Sequence, residues 1–276
     1  RKVRNISSKG ADEIRKLLPK ILHEVSSTSN SITTLERILL VLEALISRSV
    51  YLTLLNENRD ALGQLIRLSD ASSWICRYVA DHPVLLDELL DLRSILVPLN
   101  KEALFEELHR KLLHLPEKDD EGRIIALREF KQAQVLKVAA ADLYGYLPLP
   151  KVSDSLTVVA EVMITSCVNM AWAQMISRYG ASSHFTPDAP PGFGVIAYGK
   201  LGGYELGYGS DLDLVFVYDE EISPHVGTLS APEFYGRLAR HVISLITTMT
   251  PAGTLYQVDL RLRPSGDSGL LVTSLA

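Results

Sequence analysis

The sequence has 276 residues, 47% hydrophobic and 7% aromatic, which is ordinary for a soluble globular protein of one large or two medium domains. Its net charge of −5 lies in residues 186–276, where five basic residues face ten acidic ones. This balance argues against a long nucleic-acid-binding surface in that segment and favours a site that gathers metal ions. No signal peptide, membrane span or disulfide framework is predicted, so we expect a cytoplasmic protein without membrane contact.

Residues 1–180 show the apolar spacing of helices almost throughout, in about seven segments without a fixed-period repeat. Thr33 stands three residues before Glu36, the spacing of a capping box, and Ser31 is the other possible cap of the second helix. These segments predict a helical bundle that packs on a catalytic unit, and no chemistry is assigned to it.

A long, largely apolar helix is expected to begin at Ser153 or Asp154 and to end at Tyr179, before Gly180. The following segment is rich in proline and small polar residues, which is typical of a linker. The predicted organisation is therefore a helical domain over residues 1–180, a linker over 181–192 and a catalytic core over 193–276.

The core opens with two apolar runs, Phe193–Tyr198 and Leu212–Tyr218, which predict short strands because they are rich in β-branched and aromatic residues. Five glycines between them indicate a loop whose backbone approaches a ligand closely or adopts positive φ. They are Gly199, Gly202, Gly203, Gly207 and Gly209.

The second strand begins with the D-x-D pair Asp211 and Asp213, whose side chains share one face because alternate strand residues point the same way. Two adjacent carboxylates repel each other unless a cation lies between them. Mg²⁺ prefers oxygen ligands and often takes some of them from substrate phosphates. The pattern therefore indicates metal-assisted phosphoryl or nucleotidyl transfer; the alternative is a solvated edge strand with two surface aspartates.

Downstream, a capping box at Ser230 and Glu233 predicts a helix that runs to Met249. The run Leu255–Pro264 then alternates strictly, with its apolar residues on one face of a predicted strand. The other face is polar and consists of Gln257, Asp259, Arg261 and Arg263. Asp259 would be a third carboxylate of the site, and the two arginines would bind phosphate or brace the acids. The alternative is a salt-bridged open sheet face. A last strand is predicted over Leu270–Thr273.

The glycine loop, the D-x-D pair and the later acidic strand together resemble the nucleotidyltransferase superfamily that includes DNA polymerase β. Residues 197–216 (AYGKLGGYELGYGSDLDLVF) and 256–274 (YQVDLRLRPSGDSGLLVTS) closely resemble the bacterial glutamine synthetase adenylyltransferase family. Residues 48–51, 82–89 and 130–143 of the helical part agree with that family as well, so the resemblance covers nearly the whole chain.

This resemblance implies an α+β fold, with an N-terminal helical bundle followed by a polymerase-β-like nucleotidyltransferase core that is truncated at its C-terminus. Family members carry two similar halves, one that adds AMP to a tyrosine of glutamine synthetase and one that removes it by phosphorolysis. Residues 208–211, Y-G-S-D, are similar to the adding half. Phosphorolytic removal of AMP and a catalytically silent regulatory binding module are the two alternatives.

The resemblance also implies the roles of the site residues. Asp211, Asp213 and Asp259 would be catalytic and would hold two Mg²⁺ ions, for which Mn²⁺ can substitute. ATP would be the substrate, and five residues would contact it: Gly199, Lys200, Ser210, Arg261 and Arg263. Glutamine synthetase would be the protein substrate, with a PII-type signalling protein as a partner of the full-length protein and no role for nucleic acid.

Overall fold

The computed structural model describes residues 7–90, 99–116, 119–180, 190–222, 229–262 and 270–275. The fold is mostly helical with one small mixed sheet near the C-terminal end, in agreement with the predicted α+β class. The long helices are α1 (Ser8–Val25), α2 (Ser31–Leu45), α3 (Ser49–Glu57), α4 (Arg59–Ala71), α5 (Ser73–Asp81), α6 (Lys101–Leu113), α7 (Asp120–Leu143), α8 (Leu149–Tyr179) and α10 (Ala231–Thr247). A 3₁₀ helix spans Pro83–Leu90, and a single turn, α9, spans Gly199–Gly202.

The chain forms two compact units that alternate along the sequence. One contains Arg1–Pro98 and Gln132–Pro148, and the other contains Leu99–Lys131 and Leu149–Ala276. Helices α6 and α8 therefore belong to the same unit as the sheet. The linear division predicted from the sequence stays a prediction, and residues 181–189 of its linker lie outside the described residues.

In the first unit, α2 packs against α4 and α5, and α1 packs against α3, around a core of buried aliphatic side chains. The predicted caps of α2 are wrong, because the helix begins at Ser31 after Asn30. Buried Thr34 donates a 2.6 Å hydrogen bond from its hydroxyl to the Asp70 carboxylate. This tertiary contact holds the first turn in the helical conformation.

Helix α8 is the core helix of the second unit, and it begins earlier than predicted, at Leu149 instead of Ser153 or Asp154. Pro150 lies in its first turn, where the missing N–H costs no hydrogen bond. Gly180 follows the predicted last residue, Tyr179, with φ +81°, the left-handed conformation that ends a helix.

Contrary to the sequence prediction, α8 is long and apolar enough to cross a membrane, judged by length and composition alone. However, 61% of its most apolar window is buried inside the protein, including Met163, Cys167 and Trp172. The core helix of a soluble protein has the same properties, so α8 does not indicate a membrane protein.

The sheet is built around its central strand. The two predicted strands are confirmed as β1 (Phe193–Tyr198) and β2 (Leu212–Tyr218), which pair antiparallel. On its other side, β2 pairs in parallel with β3 (Val258–Asp259) near its beginning and with β4 (Val272–Ser274) near its end. Strand β4 lies two residues later at its beginning than predicted.

The long alternating strand predicted over Leu255–Pro264 is wrong, because β3 contains only two residues. The Asp259 carboxylate accepts the backbone N–H of Arg261 at 2.8 Å, and this local turn competes with the strand. The chain consequently turns at residues 261 and 262 and leaves the sheet immediately after the predicted acid.

Helix α10 begins with the predicted capping box of Ser230 and Glu233 and ends at Thr247, two residues before the predicted end. Its Phe234 contacts Trp172 of α8 edge to face, and its Tyr235 stacks on Phe193 and Tyr218. These aromatic contacts join α8 and α10 to one face of the sheet.

Buried Arg128 of α7 fastens the segment that leads from α10 to β3. Its guanidinium donates to the carbonyls of Leu245 and Thr248 at 3.0 and 2.6 Å, and to that of Gly253 at 2.8 Å. A fourth bond of 2.9 Å reaches the Ile124 carbonyl of its own helix. One side chain thus satisfies carbonyls at the end of α10 and in the turn before β3.

Candidate active site

The two acids of the D-x-D pair lie on the open face of the sheet. Asp213 pairs with Tyr198 across β1 and β2, and Tyr198 is 46% exposed. Leu212 and Leu214 point to the opposite face and are fully buried. The alternation of β2 therefore places Asp211 and Asp213 at the surface, as predicted from the sequence.

Asp259 lies beside Asp213, because the two residues are partners in the parallel pairing of β2 and β3. The Leu212 N–H donates to the Gln257 carbonyl at 3.0 Å and fixes this register. The structure thus brings the third predicted carboxylate next to the D-x-D pair. We call Asp211, Asp213 and Asp259 the acid edge.

Arg261 forms a two-pronged ion pair with Asp259. Its Nε donates to both carboxylate oxygens, at 3.0 and 2.8 Å, and its Nη2 donates to Oδ2. These bonds lower the pKa of Asp259 to about 2. The Arg261 side chain is 79% exposed, whereas that of Asp259 is 15% exposed.

Arg261 interacts electrostatically with all three acids. Its pKa is raised first by the hydrogen bonds to Asp259 and further by the charges of Asp213 and Asp211. The three carboxylates therefore share one nearby cation that comes from the chain itself. Because Arg261 is exposed and joined to the acids by charge, an incoming anionic ligand can compete for it.

The glycine loop folds directly onto the acid edge. Gly199 has φ +56°, and a Cβ there would lie 2.9 Å from Asp213 Cγ and closer still to its Oδ2. At Gly202 a Cβ would lie 3.0 Å from the carbonyl carbon of Ala197 and closer to its oxygen. Both positions require glycine, so the predicted close approach is real, although it is first an approach to the protein's own strands.

The remaining predicted ligands lie around this loop. Lys200 is exposed in the helical turn α9. Ser210 accepts the Gly207 N–H on its hydroxyl at 3.0 Å, and its own N–H donates to the Gly207 carbonyl, so residues 207–210 form a closed turn. Arg263 lies outside the described residues.

The carboxylates fit a hard cation in their chemistry. All three predicted ligands offer only oxygen atoms, and Gly199 leaves room beside Asp213 that a side chain would fill. As the described part of the chain stands, no three His, Cys, Asp or Glu side chains gather as a metal cluster. Asp259 is turned to Arg261, which leaves Asp211 and Asp213 as the pair available to a metal together with substrate phosphates.

A cavity and a cluster of polar side chains that the sequence analysis missed lie behind the same loop, on the opposite face of the sheet. A cavity of about 500 Å³ lies there, lined by apolar residues of β1 and α8 and by Leu201 and Gly202 of the loop. At its rim Glu161 accepts from Lys101 at 2.7 Å and from the Tyr204 hydroxyl at 3.3 Å. These residues are far apart in the chain, so no local motif could have joined them.

Two comparisons with known proteins found similar sequences. The family model described as glutamate-ammonia ligase adenylyltransferase matches residues 62–276. A relative from Thioalkalivibrio sulfidiphilus, named bifunctional glutamine synthetase adenylyltransferase/adenylyl-removing enzyme, is 45% identical over 278 residues. The alignment covers 99% of this chain and 29% of that relative, so the chain spans less than a third of the relative's length.

Proposed function

The chain belongs to the glutamate-ammonia ligase adenylyltransferase family, and we propose that it carries the adenylylating site, which transfers AMP from ATP to a tyrosine of glutamine synthetase and releases pyrophosphate. The observation that carries this proposal is the acid edge, in which Asp213 and Asp259 are neighbours in register beneath a glycine loop. The proposed fold of the unit is a polymerase-β-like nucleotidyltransferase core in a cytoplasmic protein.

Asp211 and Asp213 would hold Mg²⁺, with Asp259 joining them when Arg261 releases it. Mn²⁺ is the natural substitute, because it accepts the same oxygen ligands. The bound metal would polarise the phosphoryl oxygens and offset their negative charge. The rest of the chemistry is then positioning, which depends on the protein's own side chains and backbone.

Gly199 presents its backbone where no side chain intervenes, and Lys200 and Ser210 of the same loop would contact the triphosphate. Arg261 is suited to a second role, because its planar fork matches phosphate as well as carboxylate. With Arg261 bound to phosphate, the Asp259 carboxylate would be available to hold the metal or to accept the proton of the tyrosine hydroxyl. Arg263, two residues further on, would add to the same positive charge.

The sequence Y-G-S-D at residues 208–211 supports the adding half over the removing half. Phosphorolytic removal of AMP from glutamine synthetase remains the second candidate, because the relative's name covers both activities. A silent regulatory module is disfavoured by the presence of all three acids. In the full-length protein, a PII-type signalling protein would regulate the reaction, and nucleic acid would take no part.

The test is transfer of label from [α-³²P]ATP to glutamine synthetase, together with calorimetric titration of Mg²⁺–ATP into the chain. We expect Asp211→Asn and Asp213→Asn each to lower transfer at least about 1,000-fold, because charge neutralisation at the site is lost. Circular dichroism should show an unchanged fold, since both side chains lie at the surface.

Asp219→Asn is the matched control. Asp219 stands just after β2 and accepts the Glu221 N–H on its carboxylate at 2.9 Å, which an amide oxygen can also do. Normal transfer by Asp211→Asn would overturn the site assignment. Release of ADP from adenylylated glutamine synthetase and phosphate, with no pyrophosphate formed from ATP, would assign the chain to the removing half.

A further inference from the structure

A second charged region lies in the same unit, between the N-terminal part of α7, the C-terminal part of α8 and the face of α10. It consists of two adjoining cavities of about 730 and 570 Å³, which share Asp120, Gln174 and Arg178 as lining residues. Four arginines line the pair, and we call the region the arginine cleft: Arg123, Arg178, Arg237 and Arg240.

Two of these arginines converge on one aromatic ring. The guanidinium carbons of Arg178 and Arg237 each lie 5.5 Å from the centroid of the Tyr179 ring. Arg237 Nη1 also donates to the Tyr179 hydroxyl at 2.9 Å. The Tyr179 ring therefore contacts two guanidinium groups of like charge, and an anion bound in the cleft would offset their repulsion.

The cleft lacks a matching number of carboxylates. Within residues 99–131, 149–180 and 229–262, as far as they are described, none of the four arginines forms an ion pair with an acid. Asp120 is the one acid among the described lining residues of the two cavities. Glu233 stands one turn before Arg237. Its Oε2 accepts from Ser230 in the capping box of α10, and these bonds lower the pKa of Glu233, with a smaller contribution from the Arg237 charge.

The other lining groups suit a polar ligand. Gln174 is hydrogen-bonded to His241 Nε2, and Ser244 and Thr248 add hydroxyls at the same wall. Burial lowers the pKa of His241, against an opposing contribution from the Asp120 charge, so the arginines supply the positive charge of the cleft at neutral pH. Concave position, planar forks and hydroxyl donors together are the features of a site for phosphate or carboxylate groups.

We propose that the arginine cleft binds a small polyanion, a metabolite whose phosphate or carboxylate groups are bound by Arg178, Arg237 and Arg240. The volume of the larger cavity lies within the range of small-molecule sites. The cleft shares no lining residue with the acid edge, so this site is separate from the one proposed for Mg²⁺–ATP.

The test is calorimetric titration of pyrophosphate, and separately of citrate, into the purified chain in a buffer freed of divalent metal by a chelating resin, with no soluble chelator present. The chain carries Asp211→Asn and Asp213→Asn, so that the acid edge cannot contribute through a metal. We expect saturable binding of at least one of the two probes. The double variant Arg178→Met, Arg237→Met should bind at least 10-fold more weakly, because both forks and both charges are lost.

Two controls separate site chemistry from folding and from general charge. Arg110→Met removes an exposed arginine of α6 outside the cleft and should leave binding unchanged. The double variant Arg178→Lys, Arg237→Lys keeps the charge without the planar fork and should bind with an affinity between those of the parent chain and the methionine variant.

Three outcomes would overturn the proposal. The first is the absence of saturable binding for both probes, and the second is binding that Arg110→Met weakens as much as the cleft substitutions do. In the third, a poly-glutamate peptide binds in an arginine-dependent manner while pyrophosphate and citrate do not, which would assign the cleft to an acidic protein partner. Because the acid edge is inactivated throughout, none of these results depends on the proposed transfer reaction.

Discussion

The acid edge and the arginine cleft are two regions of one compact unit. The first brings negative charges together, and the second brings positive charges together. At the acid edge the chain supplies its own counter-ion, since Arg261 stands two residues after Asp259 and binds its carboxylate. In the cleft the described carboxylates are too few, and Arg178 and Arg237 meet on a tyrosine instead. The edge is thus closed by a local ion pair that a substrate can displace, whereas the cleft presents its charge openly.

The two regions also differ in how the sequence encodes them. The acid edge is local: D-x-D at the beginning of one strand and D-L-R at the end of another need only one parallel pairing to meet. The cleft is assembled by packing, from three stretches at residues 120–124, 170–179 and 237–248 that are more than forty residues apart in the chain. A charge pattern read along the chain therefore finds the first region and misses the second.

The largest effect should come from the residue that joins the two regions. The carbonyls of Leu245 and Thr248, which line the cleft, and that of Gly253, which precedes β3, all accept from Arg128. Arg128→Met would remove this donor from the Leu245 and Thr248 carbonyls, at about 1–3 kcal/mol for each group that water cannot reach. The Gly253 carbonyl would keep its bonds from the N–H and hydroxyl of Thr250. We expect the free energy of unfolding, measured with urea, to fall by about 3–5 kcal/mol.

Arg240→Met is the control for that substitution, because it removes an exposed arginine and should change the unfolding free energy by about 0.5 kcal/mol or less. The comparison also predicts that Arg128→Met impairs both regions together. On heating, Mg²⁺–ATP binding and polyanion binding should be lost at the same temperature. A loss below about 1 kcal/mol would show that water replaces the guanidinium.

Gly199→Ala should separate the regions. The added methyl group would press on the Asp213 carboxylate, and we expect transfer to fall about 100-fold, as for an angstrom-scale misplacement of a catalytic group. Polyanion binding in the arginine cleft should not change. The measurements are initial rates of labelling and the calorimetric titration described above.

Gly145→Ala is matched to it, because Gly145 also has positive φ, at +72°, but a Cβ there meets nothing within 4 Å. Both substitutions place alanine at positive φ, which should lower stability by about 1–2 kcal/mol in each case. Only the methyl group of Gly199→Ala would also contact a carboxylate. Equal loss of transfer in the two variants would mean that strain, and not the contact with Asp213, is responsible.

The parts of the fold that were predicted are those governed by local rules. Two runs rich in β-branched and aromatic residues predicted β1 and β2, and the capping box of Ser230 predicted the beginning of α10. The long strand after Leu255 failed because alternation cannot register the turn that the Asp259 side chain imposes on Arg261. Of the acid edge, all three acids could be placed, yet the Arg261 ion pair was left as one of two possible roles.

The arginine cleft could not be predicted, because its residues come from three different helices. Arg237 and Arg240, three residues apart and so neighbours on α10, were the one local signal. Arg128 was equally hidden. A lone arginine in a helical pattern ordinarily lies at the surface, and only the position of the α10 carbonyls makes full burial tolerable.

The smallest effect concerns Lys131, a half-buried cation, in contrast to the exposed Arg178 and Arg240 of the cleft. Lys131 Nζ lies 4.5 Å from the Tyr256 ring centroid, and burial lowers the pKa of Lys131 to about 8. Between that value and the unfolded value near 10.5, the unfolded chain binds more protons, so folding stability rises with pH across this window. At neutral pH the charged ammonium costs up to about 3 kcal/mol.

Lys131→Met should therefore be the more stable protein at pH 7 by about 1–3 kcal/mol, with the advantage vanishing near pH 10.5. Urea denaturation at several pH values measures this difference. If the free energy of unfolding changed with pH in the same way for Lys131→Met and the parent chain, the Tyr256 ring would fully compensate the cost of desolvating the ammonium.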